Sequence, residues 1–239
     1  MNQDRDLFGR EGYGGQTREG VGAYTAKTFL WMFLGLLTTF GVAVAGYGSM
    51  ATLYLLYYIP YSHIVLLVAE LAVVFILSAS IHKIAVPVAR ALFFLYAVLN
   101  GIVFSAYFLI FNAASMVLVF LATAIYFGAL ATYGYLTKTD LSRLRPILVG
   151  GLIFLIGFGL LSMLIPGLQA ADRILCLVGI AIFLGFTAYD TQKIRQYYYA
   201  FAGDPAMAQK ASIISALELY LDFVNLFLYL LRFLGRRKS

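Results

Sequence analysis

Residues 211–234 read ASIISALELYLDFVNLFLYLLRFL, an apolar run interrupted by Glu218, Asp222, Asn225, Tyr229 and Arg232. Those five are spaced 4, 3, 4 and 3 apart, so on an α-helix they fall on one face. The rest of the helix is mostly Leu, Phe, Ile and Val. A polar stripe on an otherwise apolar helix inverts the soluble amphipathic pattern. It predicts a membrane-crossing helix whose stripe turns inward, placed at the centre of a bundle. A helix lying flat in the interface fits poorly, because the apolar part covers most of the circumference.

Composition agrees with a membrane class. Hydrophobic residues make up 62% of 239 and charged residues 12%, against about 25% charged in soluble domains. A soluble fold could not cover so much apolar side chain. A helix needs about 20 mostly apolar residues to cross the hydrocarbon, and seven stretches qualify: 28–50, 62–81, 89–111, 115–136, 146–166, 174–192 and 211–234. Turn chemistry or charge separates them, as at Pro60, His82–Lys83, Asn112 and Gly203–Asp204–Pro205. The alternating ten-residue segments of a closed barrel are absent. The expectation is an all-α, polytopic seven-helix bundle spanning 28–234, with the seventh helix central. Residues 1–27 read as a polar, flexible cytoplasmic tail and 235–239 as a basic tail.

Lys and Arg set the orientation. Residues before the first span and the loops after spans two, four and six hold twelve of them, against Arg173 alone on the opposite side. The amino terminus is therefore expected in the cytoplasm. Arg232, Arg236, Arg237 and Lys238 go against this pattern if the last helix crosses fully. A re-entrant last helix is the alternative, and full crossing is preferred on length. The same loop residues account for the net charge of +6 without nucleic acid as a partner. Cys176 is the single cysteine, so there is no disulfide framework or cysteine metal site. His63 and His82 fall at opposite membrane faces, which disfavours a zinc cluster. No phosphate-binding loop or nucleophile elbow is present.

Four acidic residues fall within the spans: Glu70, Asp190, Glu218 and Asp222. An ionised group at mid-span costs roughly 2.5–3.5 kcal/mol on insertion scales. Such groups face the bundle interior or water, and they often mark an ion or proton path. Glu70 could instead lock helix packing, and Glu218 could reach water from near its helix end. Asp190 is expected at the cytoplasmic end of span six. Asp222 lies about 16 Å into span seven from that face, at 1.5 Å per residue. The two meet only if span seven begins a turn or two outside the bilayer. A pair in contact cannot ionise twice cheaply, and it titrates as one coupled unit. Ionised, its oxygens suit a hard cation such as Ca²⁺.

Two segments, Gly185-Phe-Thr-Ala-Tyr-Asp190-Thr-Gln-Lys-Ile194 and Ala216-Leu-Glu-Leu-Tyr-Leu-Asp222-Phe-Val-Asn-Leu-Phe227, resemble signatures of the transmembrane Bax inhibitor motif family. A third match is Leu92-Phe-Phe-Leu-Tyr-Ala-Val-Leu-Asn100-Gly101. The resemblance covers everything after the amino-terminal tail. It implies six helices around a central seventh and a pH-dependent calcium leak. It also implies that Asp190 and Asp222 form the sensor, with Ca²⁺ passing as a transient ligand and no cofactor. In such relatives a basic residue near the end of span two latches onto the pair. Ile81 occupies that position here, which leaves His82 and Lys83 as candidate latches. Glu70, Asn100, Glu218 and Asn225 are candidates along an ion path. The bacterial-type length favours a bacterial inner membrane over the endoplasmic reticulum.

Two other readings remain. A regulatory protein that binds other membrane proteins without conducting ions is the main alternative. An intramembrane aspartyl protease is remote, because Leu219-Tyr220-Leu221-Asp222 stands where such enzymes carry Gly-x-Gly-Asp, and their Pro-Ala-Leu element is missing. No enzymatic activity is expected.

Overall fold

A computed structural model describes residues 20–165 and 167–238, and the regular structure among them is helical. In chain order the helices are α1 (Val21–Tyr47), α2 (Met50–Tyr57), α3 (Ser62–Ala79), α4 (Val86–Ile110), α5 (Ala113–Leu136), α6 (Arg145–Leu164), α7 (Asp172–Ala200) and α8 (Pro205–Leu234). All but α2 are long and apolar enough to cross a membrane. The boundaries follow local chemistry. Asn112 caps α5 by accepting the Ala114 N–H at 2.9 Å, and Asp204 caps α8 by accepting the Met207 N–H at 2.9 Å. Proline stands in the first turn of α4, α6 and α8, where its missing N–H costs nothing.

α8 is the central helix. In its most apolar window 67% of residues are buried, against 11–44% for the other six. It packs on α1, α4, α5 and α7. α3 lies mainly on α4, and α6 on α7, so the outer layer is not an even ring of six. Two hydrogen bonds tie α8 to α1: Thr28 to Ser212 at 2.8 Å and Thr39 to Tyr220 at 2.7 Å. Around Tyr220 the rings of Phe93 and Tyr96 pack edge-on. Such bonds average about 0.6 kcal/mol in membranes, so close packing carries most of the cohesion. Glycine permits it where α1 meets α4: a Cβ on Gly101 would lie 2.8 Å from the Thr39 carbonyl.

Three boundaries differ from the sequence expectation. α1 starts at Val21, so 21–27 belong to a helix and not to a tail, while residues 1–19 lie outside the described residues. The first span ends at Tyr47, and a separate short helix, α2, follows Gly48. α7 runs to Ala200, eight residues past the expected end at 192, because the polar and aromatic run 193–200 continues the helix beyond its apolar part.

At its far end α8 finishes beside the α4–α5 junction. The Asn112 N–H donates to the Arg236 carbonyl at 3.0 Å, and the Lys238 N–H to that of Ile110 at 2.9 Å. Residues 236–238 therefore sit at the end opposite Val21. A re-entrant α8 is excluded, and the last helix traverses the whole bundle.

Candidate functional site

α7 and α8 are antiparallel neighbours, and the polar stripe of α8 faces α7 along its length. From the far end inward, Arg232 pairs with Asp172, and the Tyr229 ring fills the space left by Gly179 and stacks on Phe183. Next, Asp222 meets Asp190, their side chains within hydrogen-bonding reach of one another. A turn further on, Lys193 Nζ donates to Glu218 Oε1 at 2.6 Å and stands 4.0 Å from Asp190 Oδ1. Asn225 turns back on its own helix, donating to the Leu221 carbonyl at 2.8 Å.

The longer α7 explains the meeting. Asp190 lies ten residues before the helix end at Ala200 rather than at that end. α8 begins at Pro205, which supplies the extra turns that the contact requires. Both aspartates are buried, with 7% and 4% exposure for Asp190 and Asp222. Asp222 Oδ2 and Glu218 Oε2 are buried and meet no hydrogen-bond partner among the described residues. Three carboxyl groups thus face one ammonium. Arg145, at the start of α6, is the next cation whose charge reaches Asp190.

The residues flanking Asp190 hold it in place. Thr187 and Thr191 bond back to the Phe183 and Thr187 carbonyls, both at 2.7 Å. Gln192 accepts the Leu141 N–H at 2.9 Å and donates to the Thr139 carbonyl at 2.8 Å, fastening the α5–α6 loop to α7. In that loop Asp140 accepts the Ser142 N–H, which holds its carboxyl below the usual carboxylate range. Gly134 of α5 lies directly on Ala188, and any Cβ there would run into the Ala188 carbonyl. Beside this contact Tyr189 packs with Leu141 and Leu148.

A cleft of about 280 Å³ lies at the end where α1 starts and reaches Glu218. His82, Ile81, Tyr197, Ile214 and Glu218 are among its lining residues. Of the candidate latches, His82 is exposed at this cleft, Lys83 is exposed, and Ile81 is buried. The cation that touches the acidic group is Lys193, which by hydropathy alone falls in the loop after span six. Its i, i+3 relation to Asp190 was available as a signal, but the expected helix end at 192 hid it. Lys210 is also buried and reaches the Ile84 carbonyl at 3.2 Å, tying α8 to the α3–α4 loop.

Glu70 and Asn100 belong to a second polar group, on the face of α8 that carries Tyr220. Glu70 Oε1 is buried without a hydrogen-bond partner among the described residues, and its charge reaches Tyr96, Tyr107 and Tyr220. Asn100 is buried within hydrogen-bonding reach of Tyr96. Glu218 and Asp222 face α7 instead, where Asp190 sits, so the candidate path residues divide into two groups.

A family model described as "Inhibitor of apoptosis-promoting Bax1" matches residues 21–239. The chain belongs to the Bax inhibitor family. Similar members include the inner membrane protein YbhL of Escherichia coli K12, 39% identical over 98% of this chain and 100% of its own length. An uncharacterized protein of Borreliella burgdorferi is 34% identical over 90% of this chain and 93% of its own. An uncharacterized membrane protein of Streptococcus pyogenes is 34% identical over 71% and 72%, respectively. With seven apolar helices, this member of the Bax inhibitor family is a multi-pass integral membrane protein.

Proposed function

We propose that the protein is a proton-switched leak for a hard cation such as Ca²⁺, with Asp190 and Asp222 as the switch. The reading places it in a bacterial inner membrane with its amino terminus in the cytoplasm. One observation carries it: two buried carboxyl groups on different helices lie close enough to interact directly, and an oxygen of one has no hydrogen-bond partner among the described residues. An ionised carboxylate only accepts hydrogen bonds, so an attractive contact needs a proton between the two. Changing the number of protons changes which partners those oxygens take, and with them the contact between α7 and α8. A local change of charge at a packed helix pair is a physical basis for switching.

Calcium enters as cargo. It takes six to eight oxygen ligands when held in a resident site, and among the described residues no group of three or more His, Cys, Asp or Glu side chains is disposed to hold a metal. Two or three carboxylates along a path attract such an ion without trapping it.

The test is Ca²⁺ flux into vesicles containing the purified protein, measured across about pH 5 to 8. Wild type shows a pH-dependent flux, and Asp222→Asn flattens the profile. Flux with an unaltered profile in that variant removes the sensor role. No flux at any pH in wild type favours the non-conducting regulator that binds other membrane proteins.

A further inference from the structure

Lys193 lies behind two residues that line the cleft, Glu218 and Tyr197, and beside the carboxyl groups. Its ammonium donates to Glu218 at 2.6 Å, lies 4.0 Å from Asp190, and sits 5.2 Å from the centre of the Tyr197 ring. Glu218 and Tyr197 both line the cleft, and Asp222 is the next acidic group along α8. An ion entering from this end therefore meets an existing cation before it reaches the aspartates.

We infer that Lys193 is a tethered cation that closes the inner end of the cleft by holding the oxygens a permeant ion would need. This deepens the proposed leak and rests on it for the identity of the permeant ion. Electrostatics supports the competition. One ammonium serves three carboxyl groups, and Glu218 Oε2 and Asp222 Oδ2 stay without a hydrogen-bond partner among the described residues. A divalent ion brings twice the charge and accepts more oxygen ligands than an ammonium has protons. Lys193 is joined to α7 by a flexible four-carbon stem and is partly exposed, so it can swing toward the cleft mouth. The other charged or titratable groups nearby are His82 at the cleft, Arg145 at the start of α6, and Tyr189 and Tyr197 on α7. Among these, Lys193 is the one with its charged atoms on the carboxyl group itself.

The experiment compares full-length wild type with Lys193→Met and Lys193→Arg in phospholipid vesicles at one fixed pH. Lys193→Met raises Ca²⁺ flux by about tenfold or more, the scale of removing one partner from a close ion pair in a poorly solvated site. It also lowers the Ca²⁺ concentration for half-maximal flux, and Lys193→Arg recovers most of the closure. Unchanged flux and half-saturation in Lys193→Met overturns the inference.

A second arm guards against misfolding. Lys193→Cys, in a Cys176→Ala background, is modified after reconstitution with either an aminoethyl or a methyl methanethiosulfonate. Restored closure by the aminoethyl reagent alone supports a charge effect; equal responses to both overturn it. Equilibrium binding of ⁴⁵Ca²⁺ to the solubilised protein separates this inference from the leak itself. If no variant conducts, tighter binding by Lys193→Met still supports competition at the carboxyl groups, and equal binding rejects it.

Discussion

The two ends of the α7–α8 seam carry charges on the same face of α8, yet they are built differently. At the far end Arg232 meets Asp172, one cation for one anion, both more than 40% exposed. At the near end three carboxyl groups share one lysine, the aspartates are buried, and two oxygens go without a donor among the described residues. The first arrangement balances in water and asks nothing further of the protein. The second is held out of balance by packing. A polar stripe therefore places a helix, while burial combined with excess charge of one sign marks where that helix works.

The largest expected effect comes from loosening the packing that keeps the near end buried. Gly134→Ala puts a methyl group against the Ala188 backbone, so α5 must move away from α7. Overpacking of this kind costs about 1–3 kcal/mol, read as a lower melting temperature of the detergent-solubilised protein. Because Ala188 lies two residues before Asp190, the pH profile of flux should also flatten as water reaches the pair. A lower melting temperature with an intact profile would show that burial of the pair does not depend on this contact.

Coupling between the two aspartates comes next. Asp190→Asn and Asp222→Asn each remove the shared proton site, so the double variant should behave like either single one. The expected interaction energy is about 0.5–3 kcal/mol, the range for groups in direct contact, measured from the melting of the single and double variants. Additive effects would mean that the carboxyl groups act separately, and the near end would then resemble the far end after all.

The fold was largely legible because bilayer physics leaves few choices. Seven apolar runs of sufficient length give seven helices, and the stripe on 218–232 already required α8 to be enclosed. The acidic residues of the site were equally visible as charges where lipid should be. The illegible parts lie where the membrane rule stops applying. Helix α7 continues through Lys193, Arg195 and a tyrosine-rich turn, since backbone hydrogen bonding does not end where hydropathy does. That continuation turns Lys193 from a loop charge into a partner of Glu218. Helix α2, at eight residues, is too short for the span rule to mark. The inter-helix contacts of Gln192 and Gly134 depend on tertiary neighbours fifty or so positions away in sequence, which no local pattern reports.

The smallest expected effect sharpens the contrast from the other side. Asp172→Asn removes the carboxylate that Arg232 engages at the far end. Both side chains are solvated, and exposed pairs contribute about 0–1 kcal/mol, so the melting temperature should move little. Arg232 keeps a second contact in the Tyr229 ring, 5.9 Å from its guanidinium, which limits the loss further. The pH profile of flux should overlay that of wild type, because no proton shared between buried groups is disturbed. If Asp172→Asn instead flattens the profile as Asp222→Asn does, the two ends are mechanically coupled through α8. The far-end ion pair would then count as part of the switch, and balanced charge at the surface could no longer be taken as a sign of a purely structural role.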